Sequence, residues 1–339
     1  VLTSFHTAQA PGTDWQAIGR ALYTAMPQPC HGSLGLLFGT PALHDDLPSI
    51  ALMLRGTTKI PYWHSITTDG IMGFPIDALG AAVLIIPFAP PHATFAASDQ
   101  APTTIPEPAV TLRHGEGGGQ TTTPGFALGA YFTAATPAAS TINFSPAIAI
   151  ASGVTQSCLP MGATHSVTRA RGTLITTIDD LPAQEIMRRE IGAMMVRSPA
   201  DWRERIFVGL PERGHDRNDY RTIAITALET DGGISVAEPI ETGRRILFTA
   251  RSAAGATHDL QQMLRHTLAR CPTPRAALYY STTARQALFN DALYHDAVDE
   301  LALLHAALPP KTPRLALYAD AIVSGRRTHH DAGLLILFG

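Results

Sequence analysis

The sequence predicts an α/β protein built from two α/β subdomains related by a pseudo-repeat, with a strand-rich segment between them. Three observations carry this expectation. A segment near each end of the chain reads helix, strand, helix, strand, strand; strand-like runs crowd the middle; and 339 residues exceed what one ordinary core organises.

In the first segment Thr13 is placed to cap a helix whose apolar positions Trp15, Ile18, Leu22 and Met26 follow helical spacing. A short strand, Leu34 to Phe38, follows. His44-Asp45-Asp46 then opens a second helix with Leu47, Ile50, Ala51 and Leu54 on one face; acidic residues suit its positive end and Pro48 is tolerated in its first turn. Lys59 to Thr67 and Ala81 to Phe88 read as strands. Near the other end Thr257 is placed to cap a helix bearing Leu260, Met263, Leu264 and Leu268, followed by a strand at Ala276 to Tyr280. A helix with Val298, Leu301, Leu304 and Leu308 leads to strands at Arg314 to Ala319 and Leu334 to Phe338. The turns correspond as well, Asp69-Gly70-Ile71 in the first segment and Asp320-Ala321-Ile322 in the second. Such duplication gives two similar halves with a cleft where they meet.

Between them Thr164 to Arg171, Thr173 to Ile178, Tyr220 to Leu228, Ile234 to Pro239 and Arg245 to Arg251 are strand-like, and one helix, about Pro182 to Val196, interrupts them. Ala97 to Ala139, rich in Pro, Thr and Gly, reads as a loop or linker. The expected division is a domain over 1–150 and a second over 151–339, the latter strand-rich over 151–250 with the second α/β repeat over 257–339.

Composition narrows the function. With 25 Lys and Arg against 28 Asp and Glu the formal charge is −3, so no net positive field is available to hold a nucleic-acid backbone. No stretch reaches the roughly 18 to 20 apolar residues that cross a bilayer as a helix. Cys30, Cys158 and Cys271 lie far apart with no CxxC spacing, which argues against a disulfide framework or a structural zinc site and favours a reduced, cytosolic protein. The Gly117-Gly118-Gly119 run lacks the GxxxxGK that a phosphate loop needs.

From about Ala151 onward the order of motifs resembles the FIST family, a bacterial sensory domain with an N-terminal and a C-terminal part. The carriers are Gly153-Val154-Thr155-Gln156-Ser157-Cys158-Leu159-Pro160-Met161-Gly162, Val167-Thr168-Arg169-Ala170-Arg171-Gly172, Asp179-Asp180-Leu181-Pro182-Ala183, Phe207-Val208-Gly209-Leu210-Pro211 with Asp219-Tyr220-Arg221, and the closing Arg326 to Gly333. The first part of the chain departs from the family where Trp63-His64-Ser65 stands in place of small residues. The resemblance implies a small-ligand sensor, with amino acids proposed as ligands, coupled to a histidine kinase or a cyclic-dinucleotide enzyme. One subgroup binds haem and senses nitric oxide. No kinase, receiver or helix-turn-helix region is read here, so output is expected through a separate partner protein.

Fourteen histidines are many for this length, and a haem would need one as axial ligand; His64, His165 and His330 are the candidates. His64, Ser65, Thr67, Asp69, Cys158, Ser281, Tyr318 and Asp320 are the candidate ligand contacts. Asp69 and Asp320 occupy matching positions of the repeats, so face-to-face halves would bring both carboxylates to one cleft with Ser281, Tyr318 and Thr67, a set suited to an amino group. The plainer alternative is that each Asp bonds a nearby backbone amide in its own turn. An enzyme would use Cys158 with a histidine, or the Asp69/Asp320 pair as general acid and base. Against the thiol, no residue that would orient its base is identifiable, and a lone Cys among small residues usually packs as a small apolar group.

Overall fold

A computed structural model describes residues 4–74, 78–88, 92–97, 110–115, 126–131, 140–197, 205–211, 220–289, 299–325 and 327–339. The fold is mixed α/β and divides into two compact units, one made of Val1–Thr155 with Leu260–Gly339, the other of Gln156–Asp259. The first unit is therefore discontinuous in sequence, and the repeat over 257–339 belongs, from Leu260 on, to the same unit as the N-terminal segment.

Three sheets build the first unit. The four-stranded sheet runs His6–Pro11, Gly80–Ile86, Leu34–Gly39, Tyr62–Thr67, with the last two parallel and the other pairings antiparallel. The five-stranded sheet runs Ile150–Thr155, Gly333–Phe338, Ala276–Thr282, Arg314–Ala319, Gly70–Ile71. Its first four strands follow the same sequence of two antiparallel pairings and one parallel pairing. The third sheet, of six strands, runs Arg327–His329, Ala321–Ser324, Phe126–Tyr131, Val110–Gly115, Ser140–Phe144, Ala93–Ala97.

Leu34–Gly39 and Gly80–Ile86 are apolar at nearly every position because both faces are covered. One face, with Leu36, Phe38 and Leu84, joins Leu112, Phe144, Leu278, Leu317 and Ile336 in a core shared by the three sheets. The other face, with Leu37, Val83 and Ile85, is covered by helices Trp15–Ala25 and Leu47–Thr58 through Ile18, Leu22, Ile50 and Leu54. Each such side chain contributes roughly 1.5–3 kcal/mol on burial.

The second unit is a seven-stranded sheet in the order Cys158–Arg171, Arg245–Arg251, Ile206–Pro211, Tyr220–Leu228, Ile234–Val236, Leu174–Ile178, Leu181–Pro182. Leu174–Ile178 also pairs with Cys158–Arg171, which closes six of the strands into a barrel. Helix Ala183–Arg197 lays Ile186, Met187 and Ile191 against its apolar interior, with Val208, Ile223 and Phe248.

Several sequence expectations shift. Asp14, not Thr13, caps the first helix, accepting from the Gln16 N–H at 2.9 Å. His44, Asp45 and Asp46 lie in a 3-10 turn, Pro41–Asp46, and the α-helix starts at Leu47. Lys59 is its left-handed C-cap rather than the start of a strand, at φ 63°. The helix expected at Thr257 begins four residues earlier, at Ala253. Thr283–Phe289 is a helix the repeat pattern did not contain, and Val298 lies outside the described residues. Ala97 to Ala139 is not loop throughout, because Val110–Gly115 and Phe126–Tyr131 pair in parallel within the six-stranded sheet. Gly70–Ile71 is not a hairpin turn of its own half: it pairs with Leu317 and Tyr318 in the five-stranded sheet.

Candidate functional site

In open α/β sheets ligands bind beyond the carboxyl ends of parallel strands, where the chain turns away and leaves a crevice. The first unit has two such pairs, Leu34–Gly39 with Tyr62–Thr67 and Ala276–Thr282 with Arg314–Ala319. Their carboxyl ends are stitched together. Gly70 pairs with Tyr318, and the Thr68 hydroxyl donates to the Tyr318 carbonyl at 3.0 Å. Gly70 permits the approach: a Cβ there would stand 3.1 Å from the Tyr318 ring. Thr67 is buried and hydrogen-bonded to Nδ1 of His44 at 2.9 Å.

Beside this seam lies a buried polar cluster. Tyr279 and Ser281 sit two apart on one strand, so both point to the same face. The Tyr279 hydroxyl donates to Oε1 of Glu300 at 2.6 Å and the Ser281 hydroxyl to Oε2 at 2.8 Å. Arg285, in the short helix after that strand, adds its Nε–H to Oε1 at 2.6 Å and lays its guanidinium 4.9 Å from the Phe289 ring centre. Side-chain exposure is 0% for Arg285 and 4% for Glu300, so this ion pair is removed from water. Glu300 opens helix Glu300–Ala307, held in place by Asp299, which caps the helix by accepting from the Leu301 N–H. Burial, with Glu300 and then Asp299 nearby, pushes the Tyr318 hydroxyl up to about 12, although its hydrogen bond with Gln286 works the other way.

Ser281 is paired in register with Tyr318, and Thr67 adjoins Thr68, whose hydroxyl reaches the Tyr318 carbonyl. Asp69, half-buried, directly precedes Gly70 at the seam, and Asp320, exposed, follows the Arg314–Ala319 strand. Asp299 is exposed as well and, with Glu300, acts electrostatically on the half-buried Tyr318, while the buried cation Arg285 is engaged by Glu300. Arg285, Asp299 and Glu300 were not recognised from sequence. A signal existed for Glu300, an acid on the helix bearing Leu301 and Leu304, but burial of a charge is not readable from periodicity.

His64 and Ser65 sit earlier on the Tyr62–Thr67 strand, half-buried, with the His64 ring edge-on to Phe95 and its basicity lowered by burial. Cys158 lies in the other unit, buried beside Phe207, Tyr220 and Leu247; burial pushes its thiol up to about 11 in spite of the nearby Arg251. His165 does not face it. Its Nδ1 is 2.7 Å from Asp179 and its Nε2 3.2 Å from Glu190. His330 is exposed.

An axial haem ligand needs a ring nitrogen free to face an apolar slot. These residues do not fit a haem: His165 is hydrogen-bonded to Asp179 through Nδ1 and has the Glu190 carboxylate 3.2 Å from Nε2, His330 is exposed, and His64 packs against Phe95. Among the described residues no group of three or more His, Cys, Asp and Glu is placed to hold a metal ion. No helix among them is long and apolar enough to cross a membrane.

Residues 183–319 match the family model of the FIST C domain. The match spans about two fifths of the chain. The FIST C segment runs from the helix of the barrel unit to the Arg314–Ala319 strand, and it contains Tyr279, Ser281, Arg285, Glu300 and Tyr318. Over 156 residues the chain is also 27% identical to an uncharacterized protein of Mycobacterium bovis, Mb0898c, and to one of Mycobacterium tuberculosis, MT0897. Each alignment covers 44% of this chain and 40% of the relative, so the chain spans about two fifths of the length of these relatives.

Proposed function

We propose that the chain is a sensory protein that binds a small polar metabolite carrying an amino group, of the amino-acid class, at the seam between the two parallel strand pairs. The FIST C match supports a sensory ligand-binding role, and the observation that carries the ligand class is the acidic character of the segments at Tyr318: Asp69 directly precedes its pairing partner Gly70, Asp320 follows its strand, and Asp299 acts on its hydroxyl. An ammonium group at this mouth meets carboxylates in a partly desolvated setting, and the hydroxyls of Thr67 and Tyr318 supply orientation. The recurring order of pairings in the two sheets supports reading the N-terminal 1–150 and C-terminal 257–339 segments as a pseudo-repeat, with the seam at their junction. Output passes to a separate partner, a histidine kinase or cyclic-dinucleotide enzyme, in a cytoplasmic setting. Haem-based nitric oxide sensing is not favoured by the placement of His64, His165 or His330, and an enzymatic reading through Cys158 has an unactivated thiol.

Thermal unfolding with each of the twenty amino acids and with simple diamines tests this reading. A ligand at 100 times its Kd adds about 2.7 kcal/mol of stability, a shift of several degrees. The expected outcome is a saturable rise for at least one amine, lost in Asp69→Asn/Asp320→Asn. Carboxylic acids stabilising while every amine fails, or an amine effect that survives the double substitution, overturns it.

A further inference from the structure

The strands His6–Pro11, Ala276–Thr282 and Arg314–Ala319 begin beside an open cavity of about 460 Å³. Two of these strands, Ala276–Thr282 and Arg314–Ala319, carry the candidate site at their carboxyl ends, six or seven residues and therefore roughly 20 Å away. Its chemistry is opposite. His6, Arg275 and Lys311 line it, and among the described residues no carboxylate does. Pro274, Pro309 and Pro313 form much of the wall, and prolines offer no N–H donor. The Thr312 N–H is already given to the Pro309 carbonyl at 3.0 Å. An anion here is therefore held by side-chain cations.

Those cations are prearranged. The Arg275 guanidinium lies 5.7 Å from the Phe5 ring centre and 5.5 Å from that of Phe88, which restricts its rotamers before any ligand arrives. The loop bearing Lys311 is fixed by Arg314, which donates to the carbonyls of Thr312, Pro309 and Pro310 at 3.2, 3.1 and 2.9 Å. Two permanent positive charges and an imidazole N–H match the charge and donor demand of a phosphate dianion, with room left for a small organic body. We propose that this cavity is a second binding site, for a phosphate monoester of a small metabolite. The inference is independent of the amine reading, sharing no residue with it.

The sequence supplies an internal control, since Lys59 and Lys311 are its only lysines. The native protein is treated with an amine-acylating reagent with and without glycerol 3-phosphate, inorganic phosphate or succinate, and modification at each lysine is read by mass spectrometry. A phosphorus NMR titration of glycerol 3-phosphate is run in parallel on the parent and on Lys311→Glu. The expected result is saturable binding of the ester, protection of Lys311 but not Lys59, and at least tenfold weaker binding in Lys311→Glu with unchanged melting temperature. Three outcomes overturn the proposal: no saturation, equal protection by succinate, or protection by inorganic phosphate alone.

Discussion

Glu300 accepts from three buried donors and Arg285 has its charge removed from water, so the pair is expected to behave as one unit. Glu300→Ala leaves the guanidinium and two hydroxyls facing a void. Breaking a buried ion pair by removing one partner costs about 3–5 kcal/mol, because the remaining charge stays buried without compensation. Arg285→Met leaves Glu300 with Tyr279 and Ser281, a charge still buried but partly satisfied, and belongs at the lower end of that range. In Arg285→Met/Glu300→Leu no charge is stranded, so its cost falls short of the sum of the singles by about 2–3 kcal/mol. Urea unfolding measures this. The chain has three tryptophans, and a Trp202→Phe background leaves Trp15 and Trp63, both in the first unit, as reporters. With a denaturant slope of about 2.5–3 kcal/mol per molar, Glu300→Ala lowers the midpoint by about 1.5 M. Single substitutions costing under about 1 kcal/mol, or a strictly additive double, would refute the account of a coupled, desolvated pair.

Three further outcomes are expected. His114 is fully buried, hydrogen-bonded to the Tyr280 hydroxyl, and held neutral down to about pH 3 by burial and by the nearby His64. The unfolded chain protonates it below about 6.5, so its contribution is present above that pH and shrinks as pH falls toward 3; at pH 5 the loss is about 2 kcal/mol. The drop in urea midpoint between pH 7 and pH 5 is accordingly smaller by that amount in His114→Gln, and an equal drop in both proteins counts against it. Cys158 resists iodoacetamide at pH 7.5 in the native protein and reacts on unfolding, as followed by mass spectrometry; fast native labelling would show an activated thiol. Gly162, at φ 58°, has Oε2 of Glu190 where a Cβ would stand, so Gly162→Ala expels that carboxylate from the Ala163 N–H and from His165, costing about 1–3 kcal/mol of unit stability by denaturant titration.

Periodicity found the elements whose faces alternate or repeat cleanly. The strands at 34–39, 276–282 and 314–319 and the barrel helix were legible because their apolar runs are bounded by turn residues. Val110–Gly115 and Phe126–Tyr131 were not, because flanking Pro, Thr and Gly dominate the composition of that stretch. Asp69, singled out by the correspondence of turns, lies next to Gly70 of the seam, and Asp320 follows the strand that carries Tyr318. The Arg285–Glu300 pair was illegible for a different reason: its partners are 15 residues apart, and only the packing of the helix that Glu300 opens brings them together. The sequence also gave no sign that Gly70–Ile71 would leave its own half to pair near residue 318.

That last pairing bears on how the chain is made. Gly70 and Tyr318 are separated by some 250 residues, so the seam cannot form until almost the whole described chain has left the ribosome. The barrel unit moderates the delay. Asp259 accepts from the N–H groups of Gln156 and Ser157 at 2.6 and 3.1 Å, which ties the unit's entry to its exit. Once folded, about a hundred residues act as a clip that returns the chain to where it departed, and the loop left to close shrinks from about 250 to about 150 residues. The entropy saved is only about 0.5 kcal/mol, since closure cost grows with the logarithm of length. The larger gain is order of events: the barrel's residues are contiguous in sequence and all precede Leu260, so the barrel can form without the segment that completes the first unit.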